Sequence, residues 1–154
     1  MALTYGPLTE ADKRAICVWT YPGKYALYNL PPYEEMQAKQ RGFCHPEREA
    51  NYLAFHEADG LAGFVNIRAE ENTVFIGIGV HPERCGQGLG QRILRKTASI
   101  AHERHPGKTL YLEVRTWNIR AIRCYEKAGF RIVGEAFEQL TGSGKGMFYR
   151  MIHP

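Results

Sequence analysis

The sequence predicts one mixed α/β domain over residues 1–154, with strands outnumbering helices. A length of 154 residues fits one domain, because single domains usually span roughly 100–200 residues. Short segments rich in β-branched and aromatic residues recur between turn signals, as is typical of strands. One longer segment, residues 89–104, carries apolar residues at helical spacing and predicts an amphipathic helix.

The N-terminal third is predicted to contain one strand and two helices. Residues 3–8 form the strand, and Thr9 is the expected N-cap of a helix that runs to about Trp19. Residues 21–33 are rich in Tyr, Pro and Gly, which predicts a loop. A second short helix is expected over residues 33–41.

Three strands are predicted in the middle of the chain. Residues 52–57 and 61–68 flank the turn signal Ala58-Asp59-Gly60 and predict a hairpin. Residues 73–80 form the third strand, and a glycine-rich loop over residues 81–90 leads from it into the long helix.

The C-terminal part is predicted to add a strand, a helix and two closing strands. Their expected bounds are residues 110–114, 118–128, 130–137 and 147–152. Gly129 stands where a helix commonly ends in a left-handed conformation. Residues 141–146 are expected to form a flexible loop between the closing strands.

Composition and charge narrow the class of partner. The 20 basic and 16 acidic residues give a net charge of +4, which suits a small anionic ligand and does not indicate nucleic acid. No apolar run approaches the ~20 residues that cross a bilayer, so no membrane association is expected. The N-terminal residues lack the apolar core of a signal peptide, which predicts a cytoplasmic protein.

The cysteines and histidines predict neither a disulfide framework nor a metal site. The four cysteines form no C-x-x-C pair, and in a cytoplasmic chain they are expected to be reduced thiols. They are Cys17, Cys44, Cys85 and Cys124. His102 and His105 lie three residues apart without a matching second pair. We interpret these two histidines as helix-end residues that favour the helix dipole.

One face of the strand over residues 73–80 is nearly bare. Gly77 and Gly79 share that face with Phe75, because side chains alternate between the two faces of a strand. Glycine inside a strand often marks a close approach by another backbone or a ligand. A helix packed tightly on that face explains the pattern equally well, so both interpretations stay open.

A glycine segment, Gly86-Gln87-Gly88-Leu89-Gly90, leads directly into the long helix. Glycines let backbone N–H groups turn toward one point, and the helix N-terminus adds partial positive charge. These features predict a pyrophosphate-binding loop, with a plain strand–helix turn as the alternative. The dinucleotide-binding spacing Gly-x-Gly-x-x-Gly is missing, because Gln91 holds the place of the third glycine. No Lys-Ser/Thr pair follows, so the ATP-binding Walker pattern is missing as well.

Two segments, VHPERCGQGLGQRIL and LYLEVRTWNIRAIRCYEKAGF, resemble the coenzyme A-binding core of the GNAT acyl-CoA N-acyltransferases. The first resembles the Arg/Gln-x-x-Gly-x-Gly/Ala loop of that family, and the second resembles its strand–Asn–Ala–Tyr–Gly–Phe helix. The resemblance covers residues 73–133. It implies a mostly antiparallel sheet of about six or seven strands, flanked by about four helices, with a splayed central parallel pair. That pair is expected to be residues 73–80 and 110–114.

The resemblance also implies that acetyl-CoA is the cosubstrate, and the spacing of the cysteines and histidines predicts that no metal takes part. The backbone of Ile78, Gly79 and Val80 is expected to pair with the pantetheine arm like an added strand. Asn118 is expected to contact the coenzyme at the start of its helix. Cys85 stands where the family pattern has Arg or Gln, so the loop departs from the family at that side chain. The expected pyrophosphate contacts are the backbone N–H groups of Gly86, Gln87, Gly88, Leu89, Gly90 and Gln91.

Glu113 and Tyr125 are the expected acid–base residues. Many members of the family that the chain resembles use an acid on the strand before the glycine loop, but residues 73–80 contain no Asp or Glu. The LEVR segment resembles the branch of the family that acetylates protein N-termini, which implies Glu113, on the non-core face of its strand, as the general base. The alternatives are a Glu113 paired with Arg115 or another basic neighbour, and a water chain that takes the proton. The resemblance implies that Tyr125 protonates the departing thiolate, because a phenol with pKa near ~10 is protonated at neutral pH. Core packing is the alternative role of Tyr125.

Taken with the resemblance, these residues predict an N-acetyltransferase that acts by direct attack of a primary amine. The acceptor is either a small molecule or a peptide N-terminus. Aromatic residues between the first two helices either shape the acceptor site or fix that loop to the sheet. They are Trp19, Tyr21, Tyr25, Tyr28 and Tyr33. The alternative functions are a non-catalytic acyl-CoA-binding sensor domain and a dinucleotide-binding protein. The sheet edge near the C-terminal strand is compatible with a homodimer.

Overall fold

Seven strands and four α-helices lie in residues 2–154, the part of the chain that the computed structural model describes. The N-terminal elements are β1 (Thr4–Pro7), α1 (Glu10–Cys17) and α2 (Tyr33–Ala38). The middle elements are β2 (Tyr52–Glu57), β3 (Gly60–Ala69), β4 (Thr73–Val80) and α3 (Leu89–Arg104). The C-terminal elements are β5 (Thr109–Arg115), α4 (Ile119–Lys127), β6 (Arg131–Thr141) and β7 (Gly144–His153).

The strands are hydrogen-bonded in the order β1-β2-β3-β4-β5-β7-β6. β4 and β5 run parallel, whereas the pairs β1–β2, β2–β3, β5–β7 and β6–β7 are antiparallel. The parallel pairing joins residues 73–75 to residues 109–111, and both strands continue beyond these positions. The predicted fold class, a mostly antiparallel mixed sheet with one central parallel pair, is confirmed.

The chain divides into two compact units. The first unit consists of Met1–Asn66 and Ile78–Gln87, and the second consists of Ile67–Gly77 and Gly88–Pro154. β3 and β4 each contribute residues to both units. The single domain over residues 1–154 stays a prediction.

In the first unit, α1 begins at the N-cap that the sequence predicted. The Thr9 hydroxyl accepts a hydrogen bond from the Asp12 N–H at 3.1 Å, and the Asp12 carboxylate accepts one from the Thr9 N–H at 3.0 Å. This reciprocal pair is a capping box, which satisfies two N–H groups at the helix start. The core of the unit contains the buried residues Leu8, Ile16, Cys17, Trp19, Tyr33, Met36, Phe43 and Ala54.

Both N-terminal helices are shorter than predicted. α1 ends at Cys17, before Trp19, because the Trp19 N–H already bonds three residues back, to Ile16. α2 ends at Ala38 because Gln40 adopts a left-handed φ of 50° and the Arg41 N–H closes back on the Met36 carbonyl at 2.9 Å. The predicted loop over residues 21–33 contains a short 3-10 helix, Gly23–Tyr28.

The second unit contains the longest helix, and its apolar face is buried as predicted. The buried residues of α3 are Leu89, Ile93, Leu94, Thr97, Ala98, Ile100 and Ala101. Gly129 follows α4 with a φ of 99°, which confirms the predicted left-handed helix end. Among residues 2–154, no helix is both long and apolar enough to cross a membrane.

The prediction of a flexible loop over residues 141–146 is wrong. β6 and β7 pair as far as Thr141 and Gly144, which leaves a two-residue turn between them. Arg115 holds this turn in place, because its Nη2 atom lies 3.3 Å from both the Thr141 hydroxyl and the Gly144 carbonyl oxygen. A buried guanidinium from β5 therefore holds a turn whose glycine content predicted mobility.

Candidate functional site

The end of β4, in the first unit, carries the predicted pantetheine contacts Ile78, Gly79 and Val80. A Cβ atom at Gly79 would overlap the ring of Phe64 on β3. The close approach at Gly79 is thus made by an aromatic side chain of β3. The Phe64 ring therefore accounts for the small residue at Gly79 on one side of the strand. The approach of a ligand to this strand stays a prediction.

The carbonyl group of Val80 is engaged by two side chains. The Tyr21 hydroxyl donates a hydrogen bond to it at 2.7 Å, and the Cys85 Sγ atom lies 3.9 Å from the same oxygen. The Cys85 thiol is also 3.5 Å from the His81 carbonyl oxygen. Tyr21 therefore fixes its own segment to the end of β4, and the Cys85 side chain is turned toward the backbone of its loop.

The aromatic segment of the first unit divides into two groups. Trp19 and Tyr33 are buried core residues; the Trp19 ring lies 5.1 Å from the His81 ring and 6.0 Å from the Phe64 ring. The Tyr33 hydroxyl bonds the Glu10 carboxylate, which raises the pKa of Tyr33. These contacts favour the interpretation that rings fix the loop. A role in the acceptor site stays a prediction for the other tyrosines.

Two glycines before α3 have left-handed backbone conformations and open surroundings. Gly86 and Gly88 have φ values of 81° and 76°, and a Cβ atom at either position would meet nothing within 4 Å. Gly88 is the N-cap of α3 and contributes no side-chain cap. The first N–H groups of a 16-residue helix therefore begin beside open glycine positions, where an anion gains from the helix dipole.

In the second unit, Glu113 lies on β5 directly opposite Arg150 on β7. The Glu113 Oε2 atom is 3.5 Å from the Arg150 Nη2 atom, and the Glu113 side chain is 17% exposed. The structure therefore contains the pairing predicted as an alternative for Glu113, a contact with the side chain of a basic neighbour. That neighbour is Arg150, because the Arg115 guanidinium bonds the β6–β7 turn instead.

Arg150 also stacks on Tyr111, which extends the polar contacts on this face of the sheet. Its guanidinium carbon lies 4.1 Å from the Tyr111 ring centroid, and the Tyr111 hydroxyl donates to Glu70 Oε1 at 2.8 Å. Burial raises the pKa of Tyr111, and the bond to Glu70 raises it further. Burial pushes the pKa of Glu70 upward, but the hydrogen bonds from Tyr111, Thr73 and Arg68 outweigh it and lower that pKa.

Asn118 and Tyr125 follow Glu113 on the next helix. The Asn118 N–H donates to the Arg115 carbonyl at 3.0 Å, so the chain turns from β5 into α4 at once. The Asn118 Oδ1 atom accepts from the Ala121 N–H at 3.2 Å and caps α4. Tyr125 is partly buried on α4. Its role as an acid stays a prediction.

Sequence reasoning missed Phe64 and Arg150, and it assigned only part of the role of His102. The His102 Nε2 atom lies 3.0 Å from the His153 Nδ1 atom. Burial is the larger cause of the lowered pKa of His102, and the charge of His153 lowers it further. The lowered pKa favours the neutral form of His102, which weakens the interaction predicted between His102 and the helix dipole.

In residues 2–154, no group of three or more His, Cys, Asp and Glu side chains is arranged to hold a metal ion.

Comparison with known proteins places these features in a family. Residues 14–130 match the model described as "Acetyltransferase (GNAT) family". The N-alpha-acetyltransferase RimI of Mycobacterium tuberculosis (strain ATCC 25618 / H37Rv) is 44% identical over 57 residues, which cover 37% of this chain and 34% of that protein. The thialysine N-epsilon-acetyltransferase of Bos taurus is 36% identical over 75 residues, which cover 41% of this chain and 44% of that protein. These matches span less than half of the length of both relatives.

A longer match and two solved structures extend the comparison. The 5-NmdU N-acetyltransferase of Pseudomonas phage PaMx11 is 31% identical over 123 residues, covering 78% of this chain and 77% of that protein. The ribosomal-protein-S18-alanine N-acetyltransferase of Escherichia coli shares the fold with a TM-score of 0.69 and 24% identity, covering 99% and 94% of the two chains. The spermidine N-acetyltransferase of Vibrio cholerae, solved with CoA and spermine, shares it with a TM-score of 0.78 and 20% identity, covering 97% and 94%. The chain belongs to the GNAT acetyltransferase family.

Proposed function

We propose that this chain transfers the acetyl group of acetyl-CoA to a primary amine by direct attack. The observation that carries the proposal is the open glycine segment at the start of α3, which lies inside the stretch matched to the family. The named relatives are N-acetyltransferases, which supports an amine acceptor. The related spermidine acetyltransferase was solved with CoA, which supports the same coenzyme here.

The coenzyme contacts are proposed along one continuous stretch of chain. The backbone of residues 78–80 pairs with the pantetheine arm, using groups other than the Val80 carbonyl that Tyr21 already occupies. The backbone N–H groups of residues 86–91 receive the pyrophosphate at the positive end of α3. Asn118 contacts the coenzyme while its Oδ1 atom continues to cap α4.

The proposed reaction moves one proton from the amine to the thiol. The amine nitrogen attacks the thioester carbonyl carbon, a C–N bond forms, and the C–S bond breaks. Glu113 takes the amine proton through a water molecule, and Tyr125 gives its phenolic proton to the departing thiolate. Water then removes the proton from Glu113 and returns one to the Tyr125 phenolate, so both residues regain their starting states. Direct attack needs both substrates aligned in one site, and that alignment supplies much of the rate enhancement.

Glu113 supports this role because its carboxylate is held but not enclosed. The contact with Arg150 uses Oε2 at 3.5 Å, and the side chain remains partly exposed to water. A partly exposed ion pair of this length contributes little to stability, typically ~0–1 kcal/mol. The carboxylate is therefore accessible to a water molecule that carries the amine proton.

A thioester-release assay tests the proposal. Acetyl-CoA is mixed with single amines that include a polyamine, a lysine analogue and peptides with a free N-terminus, and free thiol is measured. We expect release that depends on one class of amine, with the acetylated amine found by mass spectrometry. Saturable coenzyme A binding without transfer to any amine would support the non-catalytic sensor instead. Binding of NADH but not of coenzyme A would support a dinucleotide-binding protein.

The pH dependence of turnover separates the two acid–base roles. We expect Glu113→Gln to lower turnover about 10²-fold at low pH and less at high pH, where more of the amine is already neutral. Tyr125→Phe is expected to lower turnover by a similar factor across the whole range, because the thiolate lacks its donor at every pH. Glu138→Gln is the matched control, since Glu138 pairs with Lys145 at 3.6 Å on the β6–β7 hairpin. A Glu113→Gln variant with the wild-type rate and profile would assign the proton to a water chain.

A further inference from the structure

The loop before the glycine segment carries an arginine that is bound by two carboxylates. Arg84 Nη1 lies 2.9 Å from Glu57 Oε1 and 2.8 Å from Asp59 Oδ1. Glu57 ends β2, and Asp59 lies in the turn between β2 and β3, so both belong to the predicted hairpin. All three residues are in the first unit. The loop and the hairpin are 25 or more residues apart in the chain and are joined by this cluster.

Two of the three members of the cluster are largely shielded from water. The Arg84 side chain is 19% exposed and the Glu57 side chain is 10% exposed, whereas Asp59 is largely exposed. The Arg84 hydrogen bond lowers the pKa of the Asp59 carboxyl, so this carboxylate stays ionised beside the guanidinium. A poorly hydrated carboxylate that loses its cation is costly, which makes Arg84 the member on which the cluster depends.

The side chains on either side of Arg84 contact atoms of the protein itself, so we expect this loop to bind an anion through its backbone. The Cys85 thiol, at the family's Arg or Gln position, faces the carbonyl oxygens of Val80 and His81. The 3-10 turn of Pro82–Arg84 is closed by the His81 ring, whose Nδ1 atom accepts from the Glu83 N–H at 3.1 Å. Because Arg84 is bound by two carboxylates, we take the backbone N–H groups of residues 86–91 as the groups that hold the anion. The direction of those groups depends on where the loop is fixed.

We propose that Arg84 is a positioning residue that anchors the pyrophosphate-binding loop to the β2–β3 hairpin through Glu57 and Asp59. This inference rests on the proposed function, because it takes residues 86–91 as the pyrophosphate site. Two effects follow from removing the guanidinium. The loop loses its anchor, and the negative charge that Arg84 offset on the hairpin opposes an anionic ligand by charge repulsion. Both effects weaken binding of the pyrophosphate and leave the pantetheine contacts of β4 in place.

The test compares two acetyl donors, acetyl-CoA and S-acetylpantetheine, which lacks the pyrophosphate and the nucleotide. We expect Arg84→Met to lower kcat/KM for acetyl-CoA roughly tenfold and to leave kcat/KM for S-acetylpantetheine unchanged. Arg84→Lys keeps the positive charge, and because both contacts of Arg84 use the single atom Nη1, a smaller loss with acetyl-CoA is expected. Adding Glu57→Gln and Asp59→Asn to Arg84→Met should recover part of the loss, because the leftover negative charge is removed.

Arg68→Met is the matched control, because Arg68 also pairs with a carboxylate, Glu70 at 3.2 Å, and its loss changes the net charge equally. Thermal unfolding of every variant checks the fold, and Arg84→Lys replaces Arg84→Met if the latter does not fold. Equal losses with both donors, or no loss with acetyl-CoA, would overturn the anchor. Calorimetric titration with coenzyme A separates this outcome from failure of the proposed function, in which the wild-type protein itself neither binds the coenzyme nor transfers acetyl groups.

Discussion

The glycine segments of residues 86–91 and 142–146 have similar sequences, but the space beside their glycines is not occupied in the same way. At Gly86 and Gly88 a Cβ atom would meet nothing within 4 Å, and both residues have positive φ. At Gly146 a Cβ atom would overlap the Arg115 guanidinium, which is buried in that space. Gly86 and Gly88 leave space open beside a helix start, whereas Gly146 makes room for a side chain of the same protein. Gly144, in the same turn as Gly146, is as open as Gly88, so it is the adjacent N-terminus of α3 that favours an anion at Gly88.

Gly146→Ala gives the largest effect expected from this comparison. The added methyl group displaces the Arg115 guanidinium and weakens its two hydrogen bonds to the turn. We expect the free energy of unfolding to fall by about 3 kcal/mol, the sum expected from overpacking and lost charged hydrogen bonds. Denaturant unfolding measures it. Gly6→Ala is the control, because a Cβ atom there meets nothing within 4 Å and its φ is not positive, so stability should not fall. Equal stability of the two variants would remove Arg115 from this role.

Gly79→Ala tests a third kind of glycine, in which a ring fills the space. The methyl group would overlap the Phe64 ring, so we expect a loss of about 1–3 kcal/mol in the free energy of unfolding. Phe64→Leu should restore part of that stability when it is combined with Gly79→Ala, because the smaller side chain relieves the overlap. A double-mutant cycle measures the coupling. Strictly additive losses would mean that the two residues do not compete for this space.

Substitution of His102 is expected to give the smallest effect. His102 contacts His153, the last residue of β7, at the end of the hairpin away from the β6–β7 turn. Burial lowers the pKa of His102 in the folded protein, so the unfolded chain binds more protons as the pH falls through the ordinary range of histidine near ~6.5. The native state therefore loses stability on acidification from pH 7. We expect Tm to fall less in His102→Gln than in the wild type between about pH 7.5 and 5.5. His105→Gln, at the same helix end, should follow the wild type; identical slopes in all three proteins would contradict the prediction.

The sequence predicted the parts of the fold that local patterns determine. The bounds of β4 and α3 follow from alternation and helical spacing, and Thr9 and Gly129 mark helix ends by their chemistry. The β6–β7 turn was not predictable, because Arg115 holds it from 26 or more residues away. A contact of that kind depends on strand order, which no local pattern reports.

The candidate site divides in the same way. The glycine segment, Asn118, Glu113 and Tyr125 could be selected from local motifs and a family resemblance. The partner of Glu113 could not, because Arg150 is 37 residues away and stands opposite Glu113 only through the β5–β7 register. The predicted strand over residues 147–152 contains Arg150, and β7 begins three residues earlier, at Gly144, but neither bound reports which residue of β5 faces Arg150.

We propose above all that the coenzyme pyrophosphate binds in the open space beside Gly88. The most direct measurement is the dissociation constant of coenzyme A, by calorimetry, for Gly88→Ala and for Gly107→Ala. Both glycines have positive φ, 76° and 83°, and a Cβ atom at either meets nothing within 4 Å, so the two substitutions carry similar backbone strain and should lower Tm alike. We predict that Gly88→Ala weakens coenzyme A binding roughly tenfold or more while Gly107→Ala binds as the wild type does. Equal affinities in the two variants would contradict the claim.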